Sequence, residues 1–159
     1  MNTIGTLSLS QLDQLLPMAC EWIESEEMKA LKTGLPLSAD QLGVARKIGV
    51  WHPEKVRLVA VTEMPKPQQP DLLAAATKVG LLGPSVAGLT FRYAIYIQND
   101  YLGDQQLVAH ELTHTGQYER LGSIRGFLEP YLRECLTIGY EACSFERQAR
   151  EIAAFLCPK

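Results

Sequence analysis

Apolar residues recur at helical spacing over most of this chain, and at strand spacing in two short stretches. Leu12, Leu15, Leu16, Ala19 and Ile23 share one face of a helix that Ser10 opens, with Asp13 three residues on, and that Gly34 ends. Pro17 is expected to kink this helix or to start a new one. Ser38 and Gln41 form a better capping box, for a short helix with Leu42, Ala45 and Ile48 inward and a stop near Gly49. The β-branched run over 56–62 reads as a strand, and Leu72, Leu73, Ala76 and Val79 mark a third helix from Asp71. Strict alternation over 88–97 puts Leu89, Phe91, Tyr93, Ile95 and Ile97 on one face, which predicts the strongest strand of the chain.

A helix follows after a short loop. Asp104 suits its N-cap, no proline interrupts the run to Leu121, and Gly122 suits its C-cap. Ile124, Phe127, Leu128, Tyr131, Leu132, Cys135 and Leu136 then form a broad apolar helical face, with Pro130 marking a kink or a late start and Gly139 a break. A last helix is expected after Ser144, with Phe145, Ala149, Ile152 and Leu156 inward. The expected fold is α+β, a small mixed sheet packed with helices in a single domain over 1–159. Residues 1–87 carry the N-terminal helices and first strand; 88–159 carry an edge strand, the next helix and the C-terminal helices.

Composition adds exclusions. A chain of 159 residues suits one domain, and 47% hydrophobic with 21% charged residues is ordinary for a soluble globular protein. A net charge of −3 with scattered basic residues gives no footprint for nucleic acid. No apolar run approaches the roughly 20 residues of a membrane span. Residues 1–10 lack the basic and continuous apolar regions of a secretory signal, so none is expected there. Cys20, Cys135, Cys143 and Cys157 show no CxxC spacing, which favours reduced thiols in a cytoplasmic protein; Cys135 and Cys143 fall near the candidate chemistry. Glu21, Glu24, Glu26 and Glu27 read as a solvated acidic face, with Glu26 and Glu27 the two that could line a cleft. The proline-rich stretch 64–70 suits an extended loop on a cleft rim.

The candidate chemistry lies in His110-Glu111-Leu112-Thr113-His114. On a helix, residues four apart stack on one face, so the two imidazoles can share one metal ion. On a strand they would stand about 13 Å apart. Glu111, beside the first histidine, is placed to act on a water held there. The flanking Leu107, Val108, Leu112, Thr113 and Thr115 are uncharged, as a buried helix requires.

This run resembles the HExxH helix of the zincin metallopeptidases, and the resemblance covers about residues 88 to 155. It implies His110 and His114 as zinc ligands and Glu111 as general base in a zinc-dependent hydrolase acting on a peptide or protein substrate. No histidine follows His114, so the resemblance is to the gluzincin branch, which implies a carboxylate third ligand. Glu146, at the start of the last helix beside Phe145 and Ala149, is the favoured candidate; Glu141 and Glu151 remain alternatives. Glu119 lies five residues past His114 and points elsewhere, while Glu129 and Glu134 sit on a helix whose packing face is filled. Tyr140 is the candidate donor for an oxyanion, ahead of Tyr131 and His52. In zincins the strand before this helix commonly lines the cleft and pairs with an extended substrate; taken alone, 88–97 reads equally well as an internal core strand. Two rival functions stay open: a non-catalytic zinc module and a metal-free interaction domain.

Overall fold

The computed structural model describes residues 7–159. The signal-peptide expectation therefore rests mostly on residues 1–6, outside the described part. The chain runs α1 (Leu9–Thr33), β1 (Leu35–Pro36), α2 (Ala39–Ile48), β2 (Arg57–Val61), α3 (Pro70–Lys78), β3 (Gly88–Phe91), β4 (Ala94–Gln98), α4 (Gln105–Leu121), α5 (Ile124–Ile138) and α6 (Ser144–Leu156). This is an α+β fold with a mixed four-stranded sheet in the order β1-β2-β4-β3. Among the described residues, no helix is long and apolar enough to cross a membrane.

Residues 88–97 form two strands, not one. β3 and β4 pair antiparallel, Gly88 opposite Ile97 and Phe91 opposite Ala94, and the chain reverses at Arg92-Tyr93. Arg92 takes a left-handed backbone (φ 58°), an uncommon conformation for a residue with a Cβ. Its neighbours hold it there. The Arg92 guanidinium and the Tyr93 N–H both donate to the buried Glu27 of α1, and Thr115 of α4 donates to the Arg92 carbonyl at 2.6 Å. Glu27 thus clamps the hairpin turn and does not line a cleft, whereas Glu21 and Glu24 are solvated as expected.

The reversal makes β4 central, parallel to β2 on one side and antiparallel to β3 on the other. Ala94 and Tyr96 face the larger core cluster with α1, while Ile95 and Ile97 face the smaller one with Val108 and Leu112 of α4. β3 is left at one edge of the sheet, with β1 at the other. Helix α4, packed between the sheet and α6, is buried over Glu111–Glu119 on every side.

Several boundaries shift for local reasons. Ser8, not Ser10, caps α1, because Gln11 completes a reciprocal capping box with it. Pro17 and Pro130 both lie inside continuous helices. Pro17 is exposed, so water can satisfy the carbonyl that loses its partner. Ser144 begins α6 rather than capping it, since its hydroxyl donates to Glu134 at 2.7 Å. The buried stripe of α6 is Glu146, Ala149 and Ala153, with Ile152 and Leu156 only half-buried. The capping box at Ser38, the Asp104 N-cap and the left-handed Gly49 and Gly122 fall where their sequences place them.

Candidate metal centre

Asp104 caps α4 by accepting from the Leu107 N–H at 3.0 Å, which fixes where the helix starts and which face it turns to α6. His110 and His114 project from that face with ring centroids 5.0 Å apart. Glu146, in the first turn of α6, meets both. His110 Nε2 lies 3.0 Å from its Oε1 and His114 Nε2 lies 3.2 Å from its Oε2. One ligand atom from each of the three side chains falls within 4.8 Å of the others, so the set could hold a metal ion. Glu146 is the buried acid at this centre, while Glu141 and Glu151 are exposed and outside the cluster.

A second layer holds these groups. Tyr131 of α5 donates to Glu146 Oε2 at 2.6 Å, so its hydroxyl is committed to the carboxylate. Gln117, one turn beyond His114, is buried and has its amide orientation fixed by two acceptors: its Nε2 donates to the Phe145 carbonyl at 3.1 Å and to Gln148 Oε1 at 2.8 Å. Its Oε1 is therefore turned to His114, and the Nδ1–H of that ring donates to it at 2.8 Å. This leaves Nε2 as the atom that faces the shared centre, as a ligating histidine needs. The sequence reading missed Gln117. An amide three residues past His114, on the ligand face of the helix, was the signal available.

The electrostatics follow from that wiring. Burial opposes the charged form of Glu146, yet the hydrogen bonds from His110 and His114 and the His114 charge hold its carboxyl well below the usual range. Burial likewise opposes an imidazolium at His114, but the Glu146 hydrogen bond and charge, with Glu111 and Gln117, raise it to about 9. The pocket is thus wired for one positive charge between the histidines and Glu146. Phe127 and Tyr131 stack at 5.2 Å and flank the His114 ring edge-on, which keeps water from that side.

Glu111 lines the same cavity and reaches β3. Thr90 donates to its Oε2 at 2.5 Å, and Gly88 lies so close that a Cβ there would come within 2.8 Å of its Oε1. His110, His114, Glu111, Glu146, Tyr131 and Tyr140 all open onto one cavity of about 730 Å³. Burial first, then the Glu146 and Glu111 charges, push the Tyr140 phenol far up, so it stays a protonated donor on the cavity wall.

Other candidates fall elsewhere. His52 is exposed beside Glu54 and outside the cavity lining. Glu119 accepts from the Trp51 and His52 N–H groups and from the Tyr93 hydroxyl, a structural role away from the histidines. The four cysteines are free thiols, and burial pushes Cys135 and Cys143 upward. Pro67, from the proline-rich stretch, does reach the cavity. In comparisons with known proteins, no family model, no curated protein and no solved structure matches the chain.

Proposed function

We propose that this protein is a zinc-dependent hydrolase of the zincin type that cleaves peptide bonds. The observation that carries the proposal is the convergence of His110, His114 and Glu146 in a cavity that Glu111 and Tyr140 also line. Donor atoms on a tetrahedral zinc with bonds of about 2.0–2.1 Å lie roughly 3.3 Å apart. The histidine-to-carboxylate separations of 3.0 and 3.2 Å come close to that, and two imidazoles with one carboxylate are a common catalytic zinc set. The ring orientation that Gln117 imposes on His114 also fits.

Zinc, when bound, supplies Lewis acidity that polarises a carbonyl and lowers the pKa of water. The chain's own residues supply the rest. Glu111, fixed at Oε2 by Thr90, takes the proton of the attacking water at Oε1 and passes it to the leaving amine. Tyr140 offers its O–H to the developing oxyanion. Tyr131 instead steadies Glu146. The peptide lies along β3. Gln98 donates to the Ala87 carbonyl, so alternation turns the Gly88 backbone groups away from β4, toward a strand not yet there.

Peptide-library cleavage by zinc-loaded protein tests this. Wild type should cleave, and Glu111→Gln should lose roughly 10²- to 10⁴-fold in kcat while keeping its zinc. A Glu111→Gln protein that cleaves as wild type does would remove Glu111 as base. Zinc retention without cleavage of any peptide would leave the non-catalytic module.

A further inference from the structure

The cavity is chemically lopsided. Every lining residue from α1 and α3 is apolar, Leu12, Leu16, Trp22, Leu72 and Ala76 among them, and Leu89 of β3 continues the wall. The charged lining residues outside the metal centre come only from the N-terminus of α4, from the α5–α6 connection and from α6 onward. They are Asp104, Glu141, Arg150 and Lys159, and they include an ion pair, Lys159 to Asp104 at 3.7 Å. Trp22 meets Phe91 edge-on at 5.1 Å, which fixes its indole as part of the wall. None of these α1 and α3 residues belongs to the stretch that carries the HExxH resemblance.

We propose, resting on the peptidase reading above, that α1 and α3 build an aliphatic specificity chamber and that the substrate is a peptide segment with large uncharged side chains. A charged side chain entering the chamber would lose its water with no partner on α1 or α3 to replace it. A leucine entering it leaves water favourably, which should read as about tenfold or more in affinity. The volume of about 730 Å³ accommodates more than one such side chain beside the reacting bond. A peptide, rather than an acyl chain, is the occupant because the Gly88 N–H and carbonyl, turned away from β4 at the cavity edge, call for an acceptor and a donor together, which a peptide backbone carries and an acyl chain does not.

The test reads binding apart from turnover. The chain has two tryptophans, and Trp51 is 62% exposed outside the cavity, so Trp51→Phe leaves Trp22 as the reporter. In a Trp51→Phe, Glu111→Gln protein, Trp22 emission is titrated with blocked hexapeptides of Leu and Gly, of Asp and Gly, and of Lys and Gly, and with dodecanoate. The leucine peptide should bind about tenfold or more tighter than either charged one. Ala76→Phe, which fills the chamber from α3, and Leu15→Glu, which charges its wall from α1, should each weaken that binding about tenfold with zinc content unchanged. Two variants from different helices guard against one misfolding. Equal binding of leucine and charged peptides overturns the proposal, as does binding of dodecanoate without the leucine peptide. Selective leucine-peptide binding in a protein that never cleaves would uphold the chamber and discard the peptidase. Cleavage without side-chain preference would do the reverse.

Discussion

Two glutamates are almost fully buried, Glu27 at 2% exposure and Glu146 at 3%, and their partners differ in kind. Glu27 meets the Arg92 guanidinium and the Tyr93 N–H, donors that never give up their protons in water. Its hydrogen bond raises Arg92 further, against the effect of burial. Glu146 meets two imidazoles, which are ordinarily neutral near pH 7, and a tyrosine hydroxyl. The Glu27 cluster therefore carries its own cation permanently. The Glu146 cluster must borrow one, a proton or a metal ion, and a borrowed charge can be exchanged. One cluster sets the hairpin turn, and the other is suited to chemistry.

The contrast is broken most sharply by paired substitutions. Glu27→Gln strands the Arg92 charge; with the guanidinium about a third exposed, the loss should sit near the lower end for a broken buried pair, about 3 kcal/mol by urea unfolding. Glu146→Gln should keep the fold, since an amide still bonds Tyr131, but weaken zinc by more than about 100-fold, beyond the effect of losing a supporting partner. Stability loss at Glu146 equal to that at Glu27, with zinc retained, would erase the distinction.

Gly88→Ala comes next. Its Cβ would sit 2.8 Å from Glu111 Oε1, so the carboxylate must move, and a displacement near 1 Å costs about 100-fold in turnover with zinc content unchanged. Gln117→Leu should weaken zinc about 10- to 100-fold, whereas Gln117→Glu, which keeps an acceptor for His114 Nδ1, should hold affinity closer to wild type. Equal losses in the two variants, by competition with a chelating dye, would deny Gln117 its orienting role.

Acidity separates the clusters last. His114 lies near 9 in the metal-free fold against 6.5 when free, so its stabilisation is complete below about pH 6.5 and is lost as pH rises through about 9. Glu146 is shifted down from 4.5, so its share holds above about pH 4.5 and fades in stronger acid. Zinc-free protein should thus be most stable between about pH 4.5 and 6.5, and urea midpoints should fall toward pH 9.5. Zinc-loaded protein should not show that fall.

How much of this was legible along the chain depended on whether the cause was local. The α4 caps, the His110–His114 face and the apolar stripe of α5 are set within a few residues, and they stand where their patterns put them. Glu146 was reachable because an acid beside Phe145 and Ala149 is an odd choice for a packed face. The hairpin at Arg92 was hidden, because alternation runs through it unbroken and no glycine or asparagine marks the turn. Its left-handed residue is held by Glu27, 65 positions away, and by Thr115. Gln117 needed the α6 backbone to show which way its amide turns. The apolar chamber needed α1 and α3 to be brought against β3, a long-range arrangement that periodicity does not encode.

The central claim is that His110, His114 and Glu146 hold one zinc ion, and native mass spectrometry of the reconstituted protein at neutral pH measures it directly. Wild type should hold one zinc per chain, and His114→Ala and Glu146→Ala should each lose it or hold it markedly more weakly. Wild type that takes up no zinc, or variants that keep it at full occupancy, would contradict the metal centre and the hydrolase built on it.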